Sequence, residues 1–139
     1  MLDFHNVSKW HDGKWVKSIV IETPGKIHGL QLVQGDKIHT TMPGMDLHQT
    51  ILANHHSSMS WVGPWKGLLT GTSTVEFKES EEVNGGTRLV REEVFTGWLS
   101  LMMADWNYGG WQTAKGHREM NQELKVCCEK VARERDGRV

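Results

Sequence analysis

The chain has 139 residues, 16 of them basic and 17 acidic, for a formal net charge of -1. That length suits one domain, whose folding would bury roughly two thirds of the surface the unfolded chain exposes. With 37% hydrophobic and 24% charged residues the composition is that of a globular protein rather than a disordered one. No basic stripe is present to neutralise phosphates, which argues against a nucleic-acid partner.

No membrane span is expected either, because the longest apolar run, Trp98-Leu99-Ser100-Leu101-Met102-Met103-Ala104, is far too short to cross a bilayer. Met1-Leu2-Asp3-Phe4-His5 lacks the basic and apolar regions of a secretory leader. Two adjacent cysteines, Cys127 and Cys128, are poorly placed to bridge one another. A reducing, cytoplasmic location is the expectation, and the Asn6-Val7-Ser8 sequon then has no glycosylation to receive. Seven tryptophans in so short a chain point to a core or pocket built from large flat side chains.

In chain order, residues 1–12 read as a helical scrap or loop anchored by Trp10. From residue 14 to 97 short β-prone runs alternate with turn clusters, which is the punctuation of an antiparallel sheet. The runs are Trp15–Glu22, Leu30–Val33 with Lys37–Met42, Leu47–Asn54, Met59–Trp65, Leu68–Lys78 and Thr87–Gly97. Links this short forbid parallel crossovers. The last two runs alternate clearly. Leu69, Gly71, Ser73, Val75 and Phe77 share one face of the first, and Leu89, Arg91, Glu93 and Phe95 share one face of the second. Residues 98–106 suit a short helix or capping turn, and Asn107-Tyr108-Gly109-Gly110 a break. From Trp111 to about Arg135 the period becomes helical. Thr113, His117, Met120, Leu124, Cys127 and Val131 form an inner stripe, and Gly116 is the weak point. The expected fold is a single α+β domain over residues 1–139. A curved antiparallel sheet of about six strands would wrap a long C-terminal helix, with a cavity between them.

Several motifs in that order resemble the SRPBCC superfamily, the START-like or Bet v 1-like helix-grip domains that include polyketide cyclases and dehydratases. They are Ser8-Lys9-Trp10-His11 followed by Ile19, Gly35-Asp36-Lys37 entering a strand, and Trp61 in a middle strand. Next come Leu69-Thr70-Gly71 leading to Val75-Glu76-Phe77, the run Thr87–Leu99, and Met120-Asn121-Gln122-Glu123-Leu124-Lys125. The resemblance spans about residues 3–131 and implies a helix-grip fold holding a small hydrophobic molecule. Members of that superfamily open with a further strand and helix, and that strand lies beside the last one. Here the run over 87–97 would keep an open edge, so a homodimer joined there is expected as an alternative to a shortened chain.

The candidate site residues follow from the faces. Arg91 and Glu93 project from one apolar face, where unpaired charges are costly. In the functional reading Arg91 holds a ligand carbonyl or carboxylate and Glu93 acts as general acid or base; in the plain reading the two form a structural ion pair. His117, on the inner helix stripe, is a third acid/base candidate or a core histidine. Trp61, Trp65, Trp98 and Trp111 would form an aromatic wall, completed by Leu69, Phe77, Phe95 and Met120, with Met102 and Met103 as adaptable lining. Tyr108 sits where a lid or a simple loop could be.

His39, His48, His55 and His56 show no metal-ligand spacing, and no glycine-rich phosphate loop or nucleophile elbow is present. Neither a metal nor a cofactor is expected. Three functional readings stand open: a cyclase, dehydratase or isomerase of secondary metabolism, a non-catalytic lipid or metabolite carrier, and an interaction module using the open strand edge.

Overall fold

The computed structural model describes residues 4, 7–65, 67–104 and 108–137. A one-turn helix, α1 (Val7–Trp10), precedes strand β1 (Ser18–Ile21) and a 3-10 turn at Gly29–Gln31. Strands β2 (Lys37–Met42), β3 (Met45–Asn54), β4 (Ser58–Trp65), β5 (Leu69–Glu79) and β6 (Thr87–Thr96) follow. A second 3-10 turn, Ser100–Met103, then leads into helix α2 (Tyr108–Asp136). The six strands form one curved antiparallel sheet in sequential order, a meander whose links are short except for residues 22–36, which carry the 3-10 turn between β1 and β2. A register shift between Ile51 and Ala53 places a bulge in β3, which bends the sheet locally. No helix among the described residues is long and apolar enough to cross a membrane.

The two alternating runs fold as their pattern dictates. Leu69 and Val75 on β5 are buried, and β6 alternates between half-buried odd positions and exposed even positions from Glu92 to Thr96. The core proper centres on β2 to β4, where Phe4, Leu32, Ile38, Ile51 and Met59 form one buried cluster.

Three local expectations give way to tertiary packing. The strand expected over 15–22 shrinks to Ser18–Ile21, because Trp15 leaves the sheet and lays its indole on α2. The β-prone Leu30–Val33 lies partly in the first 3-10 turn. There Gln31 Oε1 accepts the N–H groups of Ile27 and His28, both at 3.0 Å, and Asn54 Nδ2 donates to the carbonyls of Gly29 and Leu32. With its polar groups bonded locally, that segment needs no strand partner. Of the expected break at 107–110, residues 108–110 instead form the first turn of α2, and Asn107 lies outside the described residues. Gly109 and Gly110 sit against the Met102, Met103 and Ala104 carbonyls so closely that a Cβ would overlap them.

At 29 residues α2 is about 43 Å long, more than the roughly 25 Å spanned by six strands side by side. Its stripe is therefore buried only part of the way. Leu124 is 8% exposed, but Val131 is 58% exposed, and residues 128–137 all face solvent. Val131 thus leaves the inner stripe the period assigned to it.

The N-terminal segment, rather than a strand, is what α2 packs on most closely besides the second 3-10 turn. His11, 4% exposed, accepts the Val16 N–H on Nε2 at 3.0 Å, so Nδ1 carries the proton it donates to Glu123 Oε2 at 2.6 Å. About two turns earlier, the Trp15 indole rests on Gly116 where a methyl group would overlap the ring. Alanine at an exposed helix position normally gains about 1 kcal/mol over glycine. Here overpacking against a rigid indole should cost more, so Gly116→Ala is expected to lower stability by about 1–2 kcal/mol in urea unfolding. A stabilised variant would mean that Trp15 does not set the helix position.

Candidate functional site

Between the sheet and α2 lies a cavity of about 270 Å³, walled mainly by apolar groups. Strands β2 to β6 form its floor, through residues such as Ile38, Met59, Trp61, Leu69 and Phe95. The N-terminal segment supplies Phe4, Trp10 and Trp15, and α2 supplies Thr113, His117 and Met120. The volume is at the lower end of small-molecule pockets. Holding α2 off the sheet is what leaves this space unfilled.

Polar groups enter at two places. On the β5–β6 side, Ser73 lies directly across from Glu93 in the strand pairing, and its hydroxyl donates to Glu93 Oε1 at 2.9 Å. His117 Nε2 reaches the same oxygen at 3.2 Å from α2. The His117 ring is itself held edge-on by Trp15, with centroids 6.0 Å apart and planes at 86°. Arg91, two residues from Glu93 on the same face, also lines the cavity. Its Nε is buried and has no hydrogen-bond partner among the described residues. Three strands away, Thr40 donates to Gln49 Oε1 at 2.7 Å, both residues buried. A second, more open groove of about 490 Å³ runs between β6 and α2, sharing Arg91, Glu93 and His117 with the cavity and adding Arg88, Arg118 and Asn121.

The electrostatics assign protonation states. Burial works against the charge of Glu93. His117, by hydrogen bond and charge, then the Ser73 hydroxyl and the Arg91 charge outweigh it, and the carboxyl lies below its ordinary 4.5. Burial pushes the Arg91 guanidinium down, opposed by Glu93. Glu93 is therefore a carboxylate at neutral pH. It can accept a proton or a hydrogen bond, which favours the base over the acid role that the sequence left open to it.

Arg91 and Glu93 of β6 and His117 of α2 stand together in one wall. Of the expected aromatic and apolar lining, Trp61, Leu69, Phe95 and Met120 are in the cavity wall, as is Met103. Trp98 is not: it is 92% exposed, because it follows the turn that ends β6 and points away from the sheet. Trp111 is 49% exposed, on a side of α2 turned from the cavity, with Lys115 Nζ 5.5 Å from its ring centre. Phe77 shares the inner face of β5 but lies beyond the cavity, and Met102 is 53% exposed. The side chains of Trp65 and Tyr108 lie outside the described residues, as does Asn6.

The sequence reading missed Trp15, Ser73 and the Thr40–Gln49 pair as site residues. Ser73 was legible, since it stands between Gly71 and Val75 on the face already identified as inward. Trp15 was not, because nothing local marks an indole as leaving a strand for a helix a hundred residues on. Among the described residues one group of side chains has the spacing for a metal ion, His11, Asp12 and Glu123. Its geometry is already spent, with the His11 nitrogens on Val16 and Glu123 and with Asp12 paired to Lys14 at 2.6 Å.

Comparison with protein-family models and with curated proteins gives no match. Among solved structures, the chain is similar to the crystal structure, at 1.88 Å resolution, of a hypothetical protein, jhp0584, from Helicobacter pylori. The TM-score is 0.68 at 12% identity, over 88% of this chain and 73% of that one. The likeness is one of fold alone.

A carboxyl that loses its proton more readily when folded stabilises the fold above its unfolded value and ceases to do so as pH falls through its folded value. For Glu93 that window opens near 4.5 and extends below it. Acid titration of unfolding stability should therefore show Glu93→Gln losing less stability below pH 4.5 than the unsubstituted protein. Parallel acid limbs would place the Glu93 charge outside any stabilising contact.

Proposed function

We propose that the protein is a helix-grip binding module that takes a small, largely apolar molecule bearing one carbonyl or carboxylate into the cavity between the sheet and α2. The observation that carries this reading is an apolar cavity whose wall holds a buried guanidinium with an unbonded Nε. A buried donor left unmade costs about 1–3 kcal/mol, and an acceptor on a guest would recover it. Apolar walls supply affinity without direction, and Arg91 fixes which end of the guest enters first. The arrangement agrees with the resemblance to the START-like superfamily seen in the sequence.

The Glu93–His117 contact favours a second reading, a cyclase- or isomerase-like proton transfer on the bound molecule. Glu93 would take a proton there, but a carboxylate already satisfied by His117 and Ser73 is a weak base, so binding without chemistry is the primary reading.

Apolar carboxylic acids and ketones small enough for the cavity should raise the melting temperature by mass action, and hydrocarbons of equal size should do so less. Arg91→Met is expected to abolish that difference, at a cost of roughly tenfold or more in affinity for the carboxylates. If no compound of either kind shifts the melting curve, the cavity is not a binding site. If shifts persist unchanged in Arg91→Met, the guanidinium does not read the ligand.

A further inference from the structure

The two edges of the sheet are unequal. β1 has four residues, whereas β6 presents ten along an edge with no strand beside it among the described residues. A long open edge is a template for another strand, and natural sheets usually shorten or block theirs. β6 also carries two half-made polar groups. Arg91 Nε is buried without a partner, and Glu93 receives both His117 and Ser73 on Oε1, which leaves Oε2 free of any partner among the described residues.

The sequence of this edge is self-complementary. When β6 pairs antiparallel with a second β6 about a twofold axis at Glu92, Arg91 stands opposite Glu93 twice, Leu89 opposite Phe95, and Val90 opposite Val94. Each position keeps its face, since odd residues meet odd and even meet even. Moving the axis by one residue either way sets Arg91 on Arg91 or Glu93 on Glu93 at half-buried positions. Only the register centred on Glu92 sets Arg91 against Glu93. Its single like-charge contact, Glu92 with Glu92, falls on the exposed face where water screens it.

We propose that this face is a dimer interface between two copies of the chain, in which β6 strands pair across the twofold axis and the Arg91 guanidinium of each copy binds the free carboxylate oxygen of the other's Glu93. Cβ atoms directly opposite in an antiparallel pair lie about 5 Å apart, within reach of an arginine fork. The result is a continuous twelve-stranded sheet. The second copy also covers the open side of the groove between β6 and α2, so each copy completes the polar wall of its neighbour. Exposed apolar groups near this edge, Val94 at 49% and Trp98 at 92%, gain cover in the same step.

Val90 and Val94 test the register without touching the cavity. The full chain should run as a dimer in size-exclusion chromatography with light scattering. Val90→Lys with Val94→Lys sets lysine on lysine across the interface, and is expected to give a folded monomer by circular dichroism. Val90→Glu with Val94→Lys sets opposite charges at the same two contacts, and is expected to keep the dimer. A monomeric unsubstituted chain at the highest soluble concentration overturns the proposal. So does a dimer that survives the double lysine variant, or one lost equally in both variants. Ligand-induced melting shifts are read separately, so loss of the dimer and loss of binding are distinguishable.

Discussion

The spacing between α2 and the sheet is the constraint on which the rest depends. A helix with an apolar stripe normally closes onto the nearest apolar sheet face until side chains fill the gap. Here the chain before β1 prevents that closure. The indole of Trp15 occupies the place on α2 left open by the missing side chain of Gly116, and His11 ties Glu123 to the backbone at Val16. These two contacts fix the height and rotation of the helix from its outer half. His117, one residue past Gly116, is in turn aimed across the gap at Glu93.

That stand-off makes the cavity affordable only because its walls are apolar and its charges are mostly neutralised. Emptied space costs lost contacts at each wall atom, yet a wet cavity would require polar partners that these walls supply at only two places. The exceptions concentrate on β6. Its inward face must be buried for the sheet to pack, and it carries Arg91 and Glu93 where Leu89 and Phe95 would suffice for packing. Charges kept there against their desolvation cost are economically explained by something that meets them, whether a guest in the cavity or a neighbouring strand.

A consequence follows for how the domain divides its labour. The Phe4–Met59 cluster centres on β2 to β4 and lends Phe4, Ile38 and Met59 to the cavity wall, whereas the β5, β6 and α2 side holds the Glu93 and Arg91 wall, the groove and the unsatisfied donor. Stability and recognition thus share one face of the sheet and are weighted toward different strands. Substitutions in the first are expected to act through folding, and those in the second through what the protein holds.

The sequence alone determined the class of structure and which faces of the last two strands and of α2 turn inward. Period-2 alternation in residues 69–77 and 89–95 places Ser73, Arg91 and Glu93 inward because successive side chains of a strand must point to opposite faces, and helical spacing puts Thr113, His117 and Met120 on one stripe. Only the tertiary structure decided where those faces stop being buried. Periodicity carries Val131 along with Leu124 and treats Trp98 and Trp111 as interior, but burial depends on whether another layer lies above a residue, and α2 outruns the sheet. The same holds for Trp15 and Gly116, which a local reading makes a strand residue and a helix defect. Their fit to each other is a contact between segments a hundred residues apart, and no local pattern encodes which indole will meet which missing side chain.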